Sequence, residues 1–339
     1  MAVIAKTYLD LVDLYKRQDK QGNTVDVIEM LHGANPLMQD ALMMECNSGK
    51  EHLTTVRTGL AQATWGALYK GIPNSVGQTA QVTDTTGFVE ARATVDCRLV
   101  DELSDGKGNV VRLQEAEAYL ETIRQNINTG FFYANEGVNT KQFTGLAPRF
   151  NDLSAPNGKQ IIDAGGTGGN LTSIWVVTWG DTKCQLLYPK GSFAGVKRED
   201  HGKQRVLDDA GDAYYAYEET FRQHVGVSVR DWRYVVRIAN IDIDAVNAGT
   251  VDLYGLLRKA YYRHEGRRVV EGQGGNGRTV MYANTDILEA LDGLATNAGS
   301  DDNFVRLSTR EIQGQEVQTY RQWPIRETDA LLNSEERVV

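Results

Sequence analysis

The sequence predicts an α+β fold, and three observations carry that prediction. Residues 88–99 alternate strictly between apolar and polar side chains. Residues 110–129 repeat apolar side chains at helical spacing. Beyond residue 170, strands and helices mix without a regular βαβ alternation. At 339 residues the length corresponds to roughly two domains, and a body of this size buries about three quarters of its unfolded surface.

Residues 6–18 place Tyr8, Leu11, Leu14 and Tyr15 on one side of a short amphipathic helix. Thr24 can cap a second helix through Met30, and Asn35 with Pro36 can start a third that ends near Cys46. These pieces precede any visible core and read as an arm. Residues 52–100 read as a long two-stranded excursion. In its returning half Val89, Ala91, Ala93, Val95, Cys97 and Leu99 face one way, and Glu90, Arg92, Thr94, Asp96 and Arg98 the other. The tip is expected at 70–87, turn-rich and poor in large apolar side chains, so it cannot bury itself and is mobile or folds against another subunit.

The helix at 110–129 has Leu113, Ala116, Leu120, Ile123 and Ile127 in one stripe, with Gly130 as its expected stop. A glycine-rich boundary follows at 151–170. Strands are expected at 173–179, 183–189, 233–241, 278–283 and 316–324, and helices at 251–263 and 285–294.

Composition narrows the function. Thirty-six basic against 45 acidic residues give a net charge of −9, which argues against a dedicated DNA-binding module. No stretch is long and apolar enough for a transmembrane helix. Acids interrupt the apolar start of the chain, unlike a secretory signal, so a cytoplasmic setting is expected. Cys46, Cys97 and Cys184 are far apart, and buried reduced thiols are the expectation.

Each chemical motif has a plainer structural reading. Gly272, Gly274 and Gly277 match GxGxxG, but a strand follows where a phosphate site needs a helix. Asp242 and Asp244 end an apolar strand as Asp-x-Asp. This is similar to the nucleophile motif of haloacid dehalogenase phosphatases, where one carboxylate attacks phosphorus, the other is acid/base and Mg²⁺ neutralises charge. The later lysine and acidic ligands which that chemistry needs are not in place, so strand-end carboxylates are expected, with a Mg-dependent phosphohydrolase as the alternative function. His32, His52, His201, His224 and His264 show no metal-ligand spacing. Asp208, Asp209, Asp212, Glu218 and Glu219 lack EF-hand spacing and read as a solvated face. Arg258, Lys259, Arg263, Arg267 and Arg268 cluster at a helix end, where they complement the helix dipole, meet acidic neighbours in an oligomer or touch nucleic acid. No catalytic, cofactor-binding or metal site is assigned.

An arm, a long hairpin, a rod helix and a mixed α/β body together resemble the major capsid proteins of tailed bacteriophages, podophage-like ones in particular. Three segments carry the resemblance. Phe143, Thr144, Gly145 and Leu146, within 115–150, look like the family's F-x-G-L after the helix. Residues 226–242, GVSVRDWRYVVRIANID, are similar to a recurrent signature. Residues 320–331, with Pro324, Ile325, Arg326 and Asp329, look like the closing strand.

The resemblance implies the capsid fold shared by tailed phages and herpesviruses. It implies an N-arm at 1–48, an E-loop at 49–100 and a P-domain with spine helix at 101–150. A mainly A-domain segment follows at 151–310, some of its strands returning to the P-domain, and a closing strand and tail at 311–339. It further implies self-assembly through pentamers and hexamers into an icosahedral shell around double-stranded DNA, in the cytoplasm of a host bacterium. Portal, scaffolding and decoration proteins would be partners. Some relatives join subunits through an E-loop lysine and an asparagine. Lys70 sits near the tip, but no asparagine matches, so a solvated charge or an intersubunit ion pair is expected there.

Overall fold

The computed structural model describes residues 35–102, 108–208, 210–268, 277–296, 307–312 and 315–339. The helices expected at 6–18 and 24–30 lie outside the described residues, as do His32, Asp209, Gly272 and Gly274. The chain forms two compact units. The larger takes in Ala34–Gly87, Asn128–Ser192 and Val225–Val339, and the smaller includes Phe88–Ile127 and Phe193–His224.

In chain order the regular elements begin with α1 (Leu37–Asp40), β1 (Met43–Glu45), β2 (Glu51–Gly59), β3 (Gln78–Asp96), α2 (Cys97–Glu102) and α3 (Gly108–Tyr133). Then come β4 (Ile161–Asp163), β5 (Leu171–Trp179), β6 (Cys184–Tyr188), β7 (Val196–Leu207), β8 (Ala213–Val229), β9 (Val235–Asp242), α4 (Ile243–Asn247) and α5 (Leu253–Arg263). The last are β10 (Arg278–Ala283), α6 (Thr285–Thr296), β11 (Ser308–Ile312), β12 (Gln315–Tyr320) and β13 (Trp323–Glu327).

In the larger unit β5 is the central strand, antiparallel to β10 on one edge and to β9 on the other. β9 adds β4 in parallel, and β10 adds β13 in parallel, then β12 and β11. β6 meets the end of β5 and pairs with β1 and with the end of β8. All nine residues of β5 are buried, as expected for a β-branched run covered on both faces. Ile174 and Val176 share a face with Val236, Ile238, Met281 and Ile325, beneath α5 and α6. Trp175 points the other way, with Phe132 and Phe150 at ring-centroid distances of 6.2 and 5.9 Å, and Trp179 lies 5.3 Å from Phe131.

The expected helix from Asn35 to Cys46 is shorter than the sequence suggests. It begins at Leu37, with Pro36 flanking its start, and ends at Asp40, because Met43–Glu45 pair with β6 instead. Tertiary pairing overrides local propensity there.

In the smaller unit β7 and β8 form a long antiparallel hairpin with a bulge between Asp200 and Gly202, and β8 is hydrogen-bonded to β3. The sequence reading missed β7, because its string VKREDHGKQRVL alternates charges rather than apolar residues and leaves most of its positions exposed. The alternation in 88–99 holds, with Ala93, Val95, Cys97 and Leu99 buried. The strand stops at Asp96, whose Oδ1 accepts Arg98 N–H at 2.8 Å and turns the chain into α2.

The long helix has 26 residues, about 39 Å at a rise near 1.5 Å each. Ala116, Ile123 and Ile127 are buried, but Leu113 and Leu120 are 51% and 37% exposed. At about 100° per residue those two lie roughly 40–60° off the buried meridian, so they flank the stripe rather than fill it. Gly130 does not stop the helix. A Cβ there would make an ordinary 3.5 Å contact with the Phe143 ring, so the position does not demand glycine.

Candidate assembly surfaces

The hairpin formed by β2 and β3 pairs from Glu51↔Thr85 to Gly59↔Gln78. The tip therefore spans 60–77, ten residues earlier than expected at its start, and β3 already runs through 78–87. The shift changes its chemistry. Trp65, Leu68 and Tyr69 belong to the tip and not to a strand. Leu60, Trp65, Leu68, Tyr69, Ile72 and Val76 are all at least 75% exposed, with Trp65 and Tyr69 fully so. So many large apolar side chains exposed within one short segment point to a contact surface. Within the tip, Ser75 Oγ donates to Gln62 O at 2.8 Å and Lys70 N–H to Ala67 O at 3.2 Å. Lys70 is an exposed turn residue beside Tyr69, whose φ is +62°.

The base of the same hairpin is tightly fixed. Asp84, opposite His52 in the register, accepts Arg149 Nη1 at 2.7 Å. Arg149 Nη2 donates to Thr144 O and Val227 O at 3.1 and 3.0 Å. Arg230 donates to Asp181 at 3.0 Å and to His52 Nε2 at 2.6 Å. Burial, reinforced by the adjacent Arg230 charge, pushes the His52 pKa below its ordinary value, so the ring stays a neutral acceptor. Gly226 is required beside this strand pair, because a Cβ would stand 2.7 Å from Thr85 O.

Each of the three sequence segments has a structural task. Gly145 N–H donates to Ala134 O and Leu146 N–H to Phe131 O, satisfying carbonyls at the end of α3. A Cβ on Gly145 would meet Gly130 O and Phe131 O at 2.7 Å, so the site demands glycine, and Phe143 and Leu146 are buried on either side. In 226–242, buried Arg237 donates to Glu335 at 2.8 Å, Phe150 O at 2.8 Å and Ser173 Oγ at 3.1 Å. Glu335 also accepts from Ser173 Oγ and Tyr133 OH. Asn240 donates to Val338 O at 2.9 Å and accepts Val338 N–H at 2.8 Å. In 320–331, Arg326 lies 3.5 Å from Asp40, which also pairs with Arg278 at 2.9 Å. Burial raises the Asp40 pKa, with the two arginines opposing.

The chemical candidates resolve into structural roles. Asp242 Oδ1 accepts Asp244 N–H at 3.0 Å and Ala245 N–H at 3.4 Å, capping α4. Asp244 accepts Asn170 Nδ2 at 3.1 Å. Among the described residues no cluster of three His, Cys, Asp or Glu side chains could hold a metal. Burial pushes the Cys46 and Cys184 thiols up to about 11 and about 12, and Cys97 is also buried. His264 is enclosed between Tyr234 O, 2.8 Å from Nε2, and Gly266 N–H, 2.9 Å from Nδ1, and burial pushes its pKa down to about 4. Gly277 leads into strand β10. His201 Nε2 lies 3.0 Å from Thr220 Oγ1, and the His224 ring is tilted against Phe88.

The expected solvated acidic face is a correction. Glu219 is only 3% exposed and is held by Arg112 and Arg198, while Glu218 pairs with Arg92 at 2.8 Å. Asp208 accepts Ala210 and Asp212 N–H at 3.0 and 2.8 Å and shapes the turn between β7 and β8. Of the basic cluster, Arg258, Lys259, Arg263 and Arg268 are exposed, and the Arg267 guanidinium lies 5.7 Å from the Tyr262 ring centroid.

Comparison with known proteins identifies the family. The family model described as Major capsid protein GP7 matches residues 19–339. The chain belongs to the major capsid protein GP7 family. A chain in the structure of bacteriophage Epsilon15 is similar over 100% of this chain and 99% of its own, with 32% identity and a TM-score of 0.74. The capsid of bacteriophage JBD30 matches at 10% identity over 89% and 93% of the two chains, TM-score 0.48. The SrpI encapsulin of Synechococcus elongatus PCC 7942 matches at 10% over 69% and 96%, TM-score 0.44. No curated protein matches the sequence. As a major capsid protein the chain is a structural component of the virion shell with the tailed-phage capsid fold, and it is not an enzyme. The phosphohydrolase alternative at Asp242 and Asp244 has no support. No described helix is long and apolar enough to cross a membrane.

Proposed function

We propose that this capsid protein assembles through pentamers and hexamers into an icosahedral shell that encloses packaged double-stranded DNA, within the cytoplasm of a host bacterium. The hairpin tip carries the reading. Its large apolar side chains are exposed in the single chain, and a neighbouring subunit gives them the burial that hydrophobic surface requires. In this reading 1–48 is the N-arm, 49–100 the E-loop, 101–150 the P-domain with its spine helix, 151–310 mainly the A-domain and 311–339 the closing strand and tail. The spine helix and E-loop reorient as a procapsid expands. Portal, scaffolding and decoration proteins act beside it. The excess of acids, 45 against 36 bases, suits a wall along which DNA slides without sequence-specific binding.

The test is electron microscopy and sedimentation of the full chain beside a variant with 61–76 replaced by a short Gly-Ser turn. Shells or capsomers from the parent and a folded, unassembled variant are expected. Normal shells from the variant would remove the tip from the assembly surface.

A further inference from the structure

The C-terminal end of α5 concentrates positive charge on a chain whose net charge is −9. Arg258, Lys259, Arg263 and Arg268 are exposed there, and Glu265, 3.2 Å from Arg268, is an acid set within the group. Arg321 reaches the same place from the turn between β12 and β13. Its guanidinium lies 4.3 Å from the centroid of Tyr261 and 5.4 Å from that of Tyr262. Its backbone has φ +58°, a left-handed conformation that glycine adopts without strain and arginine does not. The guanidinium is stacked on the tyrosine rings, so its charge is held in a fixed position.

The other end of β13 has the opposite sign. Glu327 closes that strand opposite Ala283, and α6 starts two residues later with Asp286 and Glu289. Arg321 lies in the turn that leads into β13, and Glu327 closes that strand at its other end, so the five residues of β13, roughly 15 Å of extended chain, lie between the two ends. One unit thus presents a basic end and an acidic end along one strand. Two different complementary faces are what a head-to-tail contact needs, and such contacts close into rings.

We propose that the basic end of α5, with Arg321, docks on the α6 and Glu327 face of a second copy of this chain, forming the head-to-tail contact within a capsomer. The inference rests on the shell-forming reading above. The complementary acidic face on the same unit favours a second copy over a nucleic acid.

The experiment is a charge-swap cycle in the full chain, with assembly followed by sedimentation and folding by thermal unfolding. Arg258→Glu with Lys259→Glu should raise the concentration needed for assembly by about tenfold or more at low salt, as should Glu289→Lys, while unfolding is unchanged. The chain carrying all three substitutions should recover part of its assembly, because the substituted positions 258 and 259 then face the substituted position 289 with opposite sign. Arg321→Gly relieves the turn and removes the fixed charge, so it should unfold no earlier yet assemble less readily. If the swaps assemble like the parent, the contact is wrong and the shell-forming reading stands. If the parent itself never assembles with its full complement of shell proteins, that reading fails instead. If only the basic swap acts, the triple variant stays impaired and the parent's binding to a duplex DNA probe is lost, the face serves DNA and the proposal is overturned.

Discussion

The hairpin tip and the interior of the larger unit invert the usual placement of side chains. At the tip, Trp65, Leu68 and Tyr69 stand in water, while in the interior Arg237 and Glu335 sit out of it, 4% and 3% exposed. The buried charges are complete within one chain, since each has its counter-ion, Arg237 donates further to Ser173 Oγ and Phe150 O, and Glu335 accepts from Tyr133 OH. The exposed apolar groups are incomplete. One region specifies the fold of a subunit, and the other specifies what the subunit needs from its neighbours. Stability and assembly should therefore separate under mutation.

The largest effect is expected inside. Glu335→Ala strands the Arg237 charge in a dry site and should cost about 3–5 kcal/mol by chemical denaturation. Arg237→Met together with Glu335→Leu should recover most of that loss, because no uncompensated charge remains; a double variant as unstable as the single one would mean that packing, not charge, dominates. Next comes acid sensitivity through His264. Its folded pKa, about 4, lies below the ordinary 6.5. The unfolded chain therefore binds the extra proton first, so stability is full above pH 6.5 and falls as pH drops toward 4. The whole contribution is about 3 kcal/mol, and His264→Gln should flatten it in denaturation curves taken across that window.

Smaller is Gly145→Ala, which sets a Cβ against two fixed carbonyls and should cost about 1–3 kcal/mol in thermal unfolding. The smallest stability change belongs to Trp65→Ser with Tyr69→Ser, within about 0.5 kcal/mol of the parent. The same pair should abolish shells seen by microscopy. A variant that unfolds early would show that the tip belongs to the subunit's own fold, and the comparison would collapse.

What the sequence revealed follows the same divide. Strands β5, β9 and β10 were legible because both faces are buried and their apolar runs are continuous. The F-x-G-L segment was legible because sterics at Gly145 admit one residue. The hairpin β7–β8 was not, because Arg112, Arg198 and Glu219 tie it together by charge, and an ion pair leaves no periodic trace. The tip was misplaced for a related reason. Trp65 and Leu68 look like strand residues until it is known that no strand among the described residues pairs with them. The roles of Arg237 and Asp40 depend on partners 98 and 238 positions away, a distance over which local pattern carries no information.

That first separation also has a consequence in time. Arg237 emerges from the ribosome 98 residues before Glu335, a delay of roughly 5–20 s at bacterial elongation rates. Through that interval the sheet can gather its strands, but its central cation has no counter-charge to close on. A nascent chain is thus held short of its native state until residue 335 has been made. A product cut off earlier lacks Glu335 and leaves the Arg237 charge without its counter-ion in the core.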